Sequence, residues 1–526
     1  MASAAQQFEH PIIGTVKGIA SDGVIQFLGV KYASLDHWFD NAKLIQYDGN
    51  GLNATRHGPQ VVSDPEGVNR EHLIIQKAIP VTEFPGLSST ECLNLNLTVP
   101  LEAKHSQPLP VLVFIHGGGF ATGSNWWPQY DMKRLVQLAS EREKPIIAAA
   151  ISYRVGAPGF LTSEELQKEG FKSNHGHHDQ RIALKWIKEY IAGFGGDPQQ
   201  VTVAGESAGG SSTTRLLYSN ETLATQIIVL GGCPPNLAPL GAAVAEQSYH
   251  AVINAFGLED LPSSERIKAL SEVSPKDLLA KLGGAGPFLP VLDGDTVPFT
   301  PTFETSRAKK MIPSGTSCRA MMIGYAPLDA SIFGFVGLLR KKERIATKFI
   351  ESISSSLSQH PDATTRILHA YEISEAAGDD ESLIRILQFA SDLVFRASAE
   401  LYAKSFHGDS YLLEFAERNP WDGVFKGHST HVLDVAFLFQ NYNEHLGEEQ
   451  RQTAEAFAAD VIDFVHGEAP WRRLQDTAGR MIYEHGTRTY REDGAGSGKY
   501  DHVLSLGEEI GLDSLLKAWE TFLFSP

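Results

Sequence analysis

The chain runs to 526 residues, with Lys+Arg 45 against Asp+Glu 63, so the formal charge is 45 − 63 = −18 and the pI lies near 5.5. Hydrophobic residues make up 42% and charged residues 21%, which is too apolar for a disordered chain. The acidic balance leaves no basic stripe for nucleic acid, and 3 cysteines are too few for a disulfide framework.

The opening stretch MASAAQQFEHPIIGTVKG has neither a basic n-region nor an apolar h-region, so no secretory signal is expected. No run of about 20 apolar residues follows, so no membrane span is expected either. The sequons at Asn53, Asn96 and Asn220 then read as chance matches, and the expectation is a soluble cytoplasmic protein. No metal, cofactor or nucleic-acid partner is expected, and nothing in the sequence sets an oligomeric state.

Short continuous apolar runs mark strands covered on both faces. They fall at Pro110 to His116, Pro145 to Tyr153, Gln200 to Gly205, Gln226 to Leu230, Arg319 to Ile323 and Tyr411 to Phe415. Between the second and third, Ile182, Ala183, Trp186, Ile187, Tyr190 and Ile191 recur at helical spacing, predicting a helix from about Asp179 to Ile191 that stops at Gly193. Strand–helix alternation predicts a mostly parallel sheet with helices on both faces. The stretches of about 236–317 and 334–407 read as helical insertions capping one large α/β domain. Glu448 to Pro526 reads as helical, with a loop near Asp493 to Lys499.

Gly205-Glu206-Ser207-Ala208-Gly209 forms a Gly-x-Ser-x-Gly elbow between an apolar strand and a helical segment. Such chemistry needs the Ser207 hydroxyl pushed out of a strained turn, with glycines where a Cβ would clash. Glu206 either fills the elbow's variable position or tunes a neighbouring histidine electrostatically. Upstream, His116-Gly117-Gly118-Gly119-Phe120 follows directly on the first strand, and its glycines let backbone N–H groups approach a substrate oxygen. Its spacing is not G-x-G-x-x-G and no Lys-Ser/Thr follows, which disfavours a nucleotide site.

HGGGF, FGGDPQQVTVAGESAGG and Glu91-Cys92-Leu93-Asn94-Leu95-Asn96 together resemble the type-B carboxylesterase/lipase family, over a span from Gly14 to at least Phe439. The resemblance implies an α/β-hydrolase fold, a gorge-like pocket and ester hydrolysis through Ser, an acid and His in that chain order. Carried over by position, Ser207 is the nucleophile, and Gly118, Gly119 and Ala208 match the oxyanion-hole donors. Gly324 to Asp329 resembles the stretch ending in the triad carboxylate, usually Glu, here Asp329. Asp293 and Asp295 are rivals that resemble the family's separate Asp-Gly turn. His431, with Asp434 three positions on and Phe437 and Phe439 behind, looks like the family's base; His428 is its near competitor.

The departures are informative. Val61 stands where the family has the cysteine that pairs with Cys92, so Cys92 is expected unpaired, and Cys233 and Cys318 match no family partner. Trp38-Phe39 and Thr90 replace both partners of a family ion pair, and joint absence leaves no orphaned charge. His175, His177 and His178 suggest a metal cluster on their own, but in the resemblance they occupy variable positions of Asn-x-Gly-Leu-x-Asp-Gln, with His177 where Leu is usual. Trp126, Trp127, Phe288, Ile332 and Phe333 sit just beyond motifs that line the family's acyl and alcohol pockets; core packing is the alternative. A lactonase, amidase or acyltransferase would use the same residues. A non-catalytic binding protein of this fold would typically have lost Ser207.

Overall fold

The computed structural model describes residues 4–101, 107–282, 286–308, 312–313, 316–492 and 498–525. Its frame is a thirteen-stranded sheet. We number twelve strands: β1 (Ala4–His10), β2 (Gly14–Ser21), β3 (Val24–Lys31), β4 (Asn94–Pro100), β5 (Leu109–Ile115), β6 (Ile147–Ile151), β7 (Gly196–Glu206), β8 (Gln226–Leu230), β9 (Ala320–Tyr325), β10 (Asp409–Phe415), β11 (Gly479–Glu484) and β12 (Thr487–Glu492). The thirteenth, Leu52–Asn53, pairs with β2. Their order is β1-β2-β3-β4-β6-β5-β7-β8-β9-β10-β11-β12, and every pairing from β6 to β11 is parallel.

The apolar strands behave as their composition requires. Along β5, Val111, Val113 and Ile115 enter one core cluster while Leu112 and Phe114 enter the other, so both faces are covered. The antiparallel pairs at either end were not evident from the apolar runs, because polar residues interrupt β1 to β4 and β12.

The C-terminal segment needs correction. A helix does run Glu448–Val465, but Gly479 to Glu492 is the β11–β12 hairpin rather than helix. Its turn is His485-Gly486, both at positive φ (52° and 74°), the conformation that closes a two-residue hairpin with the right twist. Of the loop read near Asp493 to Lys499, residues 493–497 lie outside the described residues. Among the described residues, 236–317 and 334–407 carry helices joined by loops, including Ala242–Phe256, Ile345–Ser356 and Asp379–Ala390.

Five helices position the candidate site: α1 (Gly67–Ile75), α2 (His175–Tyr190), α3 (Ala208–Arg215), α4 (Ser331–Val336) and α5 (Leu433–Leu438). Helix α2 begins four residues before the predicted Asp179. Its first turn is anchored by Arg154, whose Nε and Nη2 both donate to Asp179 at 2.8 Å with both side chains fully buried. The loop carrying α1 is closed at its neck by a short parallel pair, Gln60–Val61 with Leu87–Ser88. All three cysteines are buried and free, so this neck holds without a disulfide.

Candidate active site

Strand β7 ends at Glu206 and α3 begins at Ala208, leaving Ser207 alone in the turn at φ 56°, ψ −123°. A non-glycine residue at positive φ is strained and persists only where the surroundings hold it. Here they do: a Cβ on Gly205 would lie 2.2 Å from the Gly209 carbonyl oxygen, and one on Gly209 2.0 Å from that of Ile115. The Ser207 N–H is tied to the Leu230 carbonyl at 2.9 Å.

The other side chains arrive from two further strand ends. Asp329 follows β9. Its Oδ2 accepts from the Ala326 N–H at 2.8 Å, and its Oδ1 lies 2.6 Å from His431 Nδ1. The loop bearing His431 is docked by the Leu328 N–H on the Ser429 carbonyl (2.9 Å), while the His431 N–H donates to Ser331 Oγ at the start of α4 (3.1 Å). With Asp329 accepting at Nδ1, the imidazole carries its proton there and presents a lone pair at Nε2. Gly231 and Gly232, after β8, are the shared wall. A Cβ on Gly231 would lie 3.2 Å from His431 Cε1 and from Glu206 Oε1, and one on Gly232 2.2 Å from the Ser207 carbonyl oxygen.

The structure therefore brings Ser207, Glu206, Asp329 and His431 together. No hydrogen bond joins Ser207 to His431. Nε2 instead lies 3.2 Å from Glu206 Oε1, without the alignment of a hydrogen bond. The rivals are engaged elsewhere: Asp293 accepts from Asn174 and Thr296, Asp295 from Arg181. His428 is half-buried, and no carboxylate among the described residues pairs with it.

Glu206 shares its buried surroundings with three other carboxyls. Burial, then the neighbouring Asp434, Glu71 and Asp329 carboxyls, hold its pKa well above the usual range. Asp434 on α5 is pushed up to about 7, first by burial and then by Asp329. Glu71 on α1 is raised by burial, although Gln129 donates to it at 3.0 Å. Acids packed around one imidazole cannot all ionise, and the protonated ones keep it from being overwhelmed by negative charge.

The glycine loop turns between β5 and the elbow, with Gly118 at φ 98° and Gly119 at φ 62°. At Gly118 an added Cβ would also lie 2.3 Å from the Thr122 carbonyl oxygen. Among the described residues, no protein acceptor takes the N–H of Gly118, Gly119 or Ala208. The His116 ring stacks on Tyr153 (4.5 Å) and donates from Nδ1 to the Gly117 carbonyl, and burial lowers its pKa to about 4, so it acts as a neutral prop.

The five proposed lining residues separate. Ile332 and Phe333 sit on α4, half-buried; Phe333 packs on Phe395, whose ring lies edge-on to His431 at 5.7 Å. Phe288 packs against the helices of 242–282. Trp126 and Trp127 are core residues: Trp126 Nε1 donates to Gln60, and Trp127 stacks on Tyr130. Trp126 also borders a cavity of about 80 Å³ shared with His57, Asn96 and Asn125. Of the histidines at 175–178, His177 is wedged against Phe120 and Phe160. Among the described residues no group of three or more His, Cys, Asp or Glu is arranged to hold a metal ion. Sequence reasoning missed Glu71 and Phe395. Phe395 lies in a π-helical turn, Ser391–Arg396, which apolar periodicity does not reveal.

A parallel sheet carrying a strained serine elbow at one strand end and His–Asp from later strand ends defines a serine hydrolase of the α/β-hydrolase fold. The chain matches the carboxylesterase family over residues 5–490 and belongs to it. It is 29% identical to the para-nitrobenzyl esterase of Bacillus subtilis over 447 residues (81% of this chain, 82% of that one). It is 30% identical to the acetylcholinesterase of Bungarus fasciatus over 403 residues (68% and 62%), and 27% identical to Lipase 2 of Diutina rugosa over 417 residues (72% and 73%). A solved PNB esterase superposes with a TM-score of 0.73 at 23% identity, covering 94% of this chain and 98% of that one. The protein is accordingly a carboxylic ester hydrolase.

Proposed function

We propose that ester cleavage proceeds through a Ser207–His431–Asp329 triad and an acyl-enzyme, with the N–H groups of Gly118, Gly119 and Ala208 as the oxyanion hole. The observation that carries this reading is the 2.6 Å contact of His431 Nδ1 with Asp329 Oδ1, made beside a serine held at positive φ. His431 Nε2 accepts the Ser207 proton as Oγ attacks the acyl carbonyl carbon. The tetrahedral oxyanion is received by the three amides, and the positive end of the α3 dipole lies beneath it. His431 then returns the proton to the departing alkoxide, and the alcohol leaves. Water repeats the sequence on the acyl-enzyme, releasing the acid and regenerating Ser207.

Asp329 holds the ring in the required tautomer and stabilises its cation. Its stem is one methylene shorter than Glu, and the docking of Leu328 on Ser429 brings the two loops close enough for that stem to suffice. The experiment is Ser207→Ala with a fluorophosphonate probe. The variant folds, turns over no short-chain nitrophenyl ester and takes no label, whereas the wild type labels at Ser207. Substantial activity in the variant, or label elsewhere in the wild type, overturns the assignment.

A further inference from the structure

Arg215 closes α3, eight residues beyond Ser207, and its side chain is buried. Among the described residues it has no carboxylate at ion-pair distance. Asp293, a carboxylate whose charge acts on it, is already engaged by Asn174, Thr296 and the N–H groups of Asp295 and Val297. Burial pushes the Arg215 pKa down to about 10, which leaves it a cation at neutral pH.

Its hydrogen bonding is thin for a buried guanidinium. Nη1 donates to His177 Nε2 at 3.2 Å, and Nη2 reaches Ser211 Oγ and the Leu237 carbonyl only at 3.4 Å each. Of the five N–H donors a guanidinium carries, Nε–H and one on Nη1 have no acceptor among the described residues. His177 is itself neutral: burial and Arg215 hold its pKa well below the ordinary value, and its Nδ1 faces Gln180 Oε1. A cluster of hydroxyls lies close by. Tyr402 is fully buried, and its hydroxyl is grouped with those of Tyr218 and Thr214 rather than with any charged acceptor. Buried charges are ordinarily paired, so a cation without a protein anion, beside a cluster of hydroxyls, is arranged for an anion from outside.

The position ties this cluster to the reaction site. Helical side chains lean toward the N-terminus, and the guanidinium accordingly lies over Ser211, one turn back. Ser211 is four residues from Ser207, or about 6 Å along the helix axis. The roof over the guanidinium is Phe120, at 5.9 Å, the residue that directly follows Gly119.

We propose that Arg215 binds a carboxylate of the substrate, so that the preferred esters carry a free carboxylate about one helical turn from the scissile carbonyl, as half-esters of short dicarboxylic acids do. This rests on Ser207 as nucleophile. The site's donors are N–H and O–H groups only, and a planar carboxylate accepts two of the guanidinium's at once.

The test compares kcat/KM for nitrophenyl half-esters of succinate, glutarate and adipate with nitrophenyl butyrate, valerate and hexanoate. A second arm moves the carboxylate to the leaving group, using the acetate ester of 4-hydroxybenzoate against phenyl acetate. The wild type prefers the charged member in one arm, and that arm tells which half of the substrate reaches Arg215. In Arg215→Met the charged-to-neutral ratio falls about 10²-fold, as when one partner of a buried charge pair is truncated, and Arg215→Lys recovers part of it. The ratio cancels any general loss of active protein, and the wild-type comparison stands even where the Met variant does not fold. Equal or better turnover of the neutral esters in both arms by wild-type enzyme overturns the proposal. If Ser207 takes the fluorophosphonate label and no carboxylate preference exists, only the Arg215 assignment falls; if Ser207 takes no label, the triad falls with it.

Discussion

Asp329→Asn keeps the shape of the site and changes only where protons sit. Oδ1 of Asp329 accepts from His431 Nδ1 at 2.6 Å, while Oδ2 accepts from the Ala326 N–H at 2.8 Å, so both oxygens are committed as acceptors. An amide has one acceptor end and one donor end. If its oxygen stays on Ala326, its NH₂ faces His431, and Nδ1 must become an acceptor. The ring proton then moves to Nε2, the atom that takes the Ser207 proton in the proposed mechanism. If the amide flips, its NH₂ opposes the Ala326 N–H, two donors meeting in a buried site where neither reaches water. The first arrangement is the cheaper, and it is the inactive tautomer. Replacing an orienting carboxylate in this way lowers kcat by about 10⁴. At about 1.36 kcal/mol per decade, that is about 5.4 kcal/mol of transition-state stabilisation. Steady-state kinetics on a nitrophenyl butyrate, with a urea midpoint to establish that the variant is folded, measures it. A folded variant within about tenfold of wild type would show that the ring's tautomer does not depend on this carboxylate, and the triad would need another acid.

Three further outcomes follow from the same geometry. His431→Ala loses about 10²–10⁴-fold or more in kcat, the usual worth of a positioned base, whereas His428→Ala, with no carboxylate partner, retains most activity; the reverse ranking would move the base. Arg154→Met leaves Asp179 buried and unpaired beneath the first turn of α2, and should cost about 3–5 kcal/mol in urea unfolding; a loss under about 1 kcal/mol would contradict the buried-pair reading. Asp434, with its ordinary value of 3.8 raised to about 7, binds its proton more tightly folded than unfolded. Its contribution is therefore fully present below pH 4 and is lost as pH rises toward 7, by as much as about 4 kcal/mol. Asp434→Asn keeps the acceptor for the Val435 N–H and removes that loss, so its stability relative to wild type should climb between pH 4 and 7; a pH-independent difference would show that Asp434 is ionised in the fold throughout.

What could be read along the chain was local. Five glycines and a serine within short motifs point to the elbow and the glycine loop. At Gly205 the reason is local, because a Cβ there would meet the Gly209 carbonyl four residues on, whereas at Gly209 it is the packing of the Ile115 carbonyl that leaves no room. The continuous apolar runs likewise declare strands buried on both faces, and β8 lies where its run of Gln226 to Leu230 predicted. The C-terminal hairpin escaped because Gly479 to Glu492 is exposed on its outer strand and carries little apolar signal, with only the His485-Gly486 turn to mark it. The aromatic candidates divided for a related reason: hydrophobicity says that Trp126, Trp127 and Phe333 will be covered, not by what.

Contacts between distant parts of the chain were decided only by the folded topology. Asp329 and His431 stand 102 residues apart, and their 2.6 Å contact exists because β9 and β10 are neighbours and the loops after them dock through Leu328 and Ser429. Nothing local announces that Glu71, Glu206 and Asp434 share one buried space, or that Arg215 meets His177 without an ion-paired carboxylate among the described residues. Burial and mutual approach set the protonation of such groups, and both are properties of the packed interior. The sequence by itself determined the candidate elbow serine and the apolar strands around it, since those are marked by residue types within a few positions of one another. Which charges are paired, which are kept neutral and which are left waiting for a substrate was decided by tertiary structure, because electrostatic energy depends on distance and solvent exclusion rather than on order along the chain.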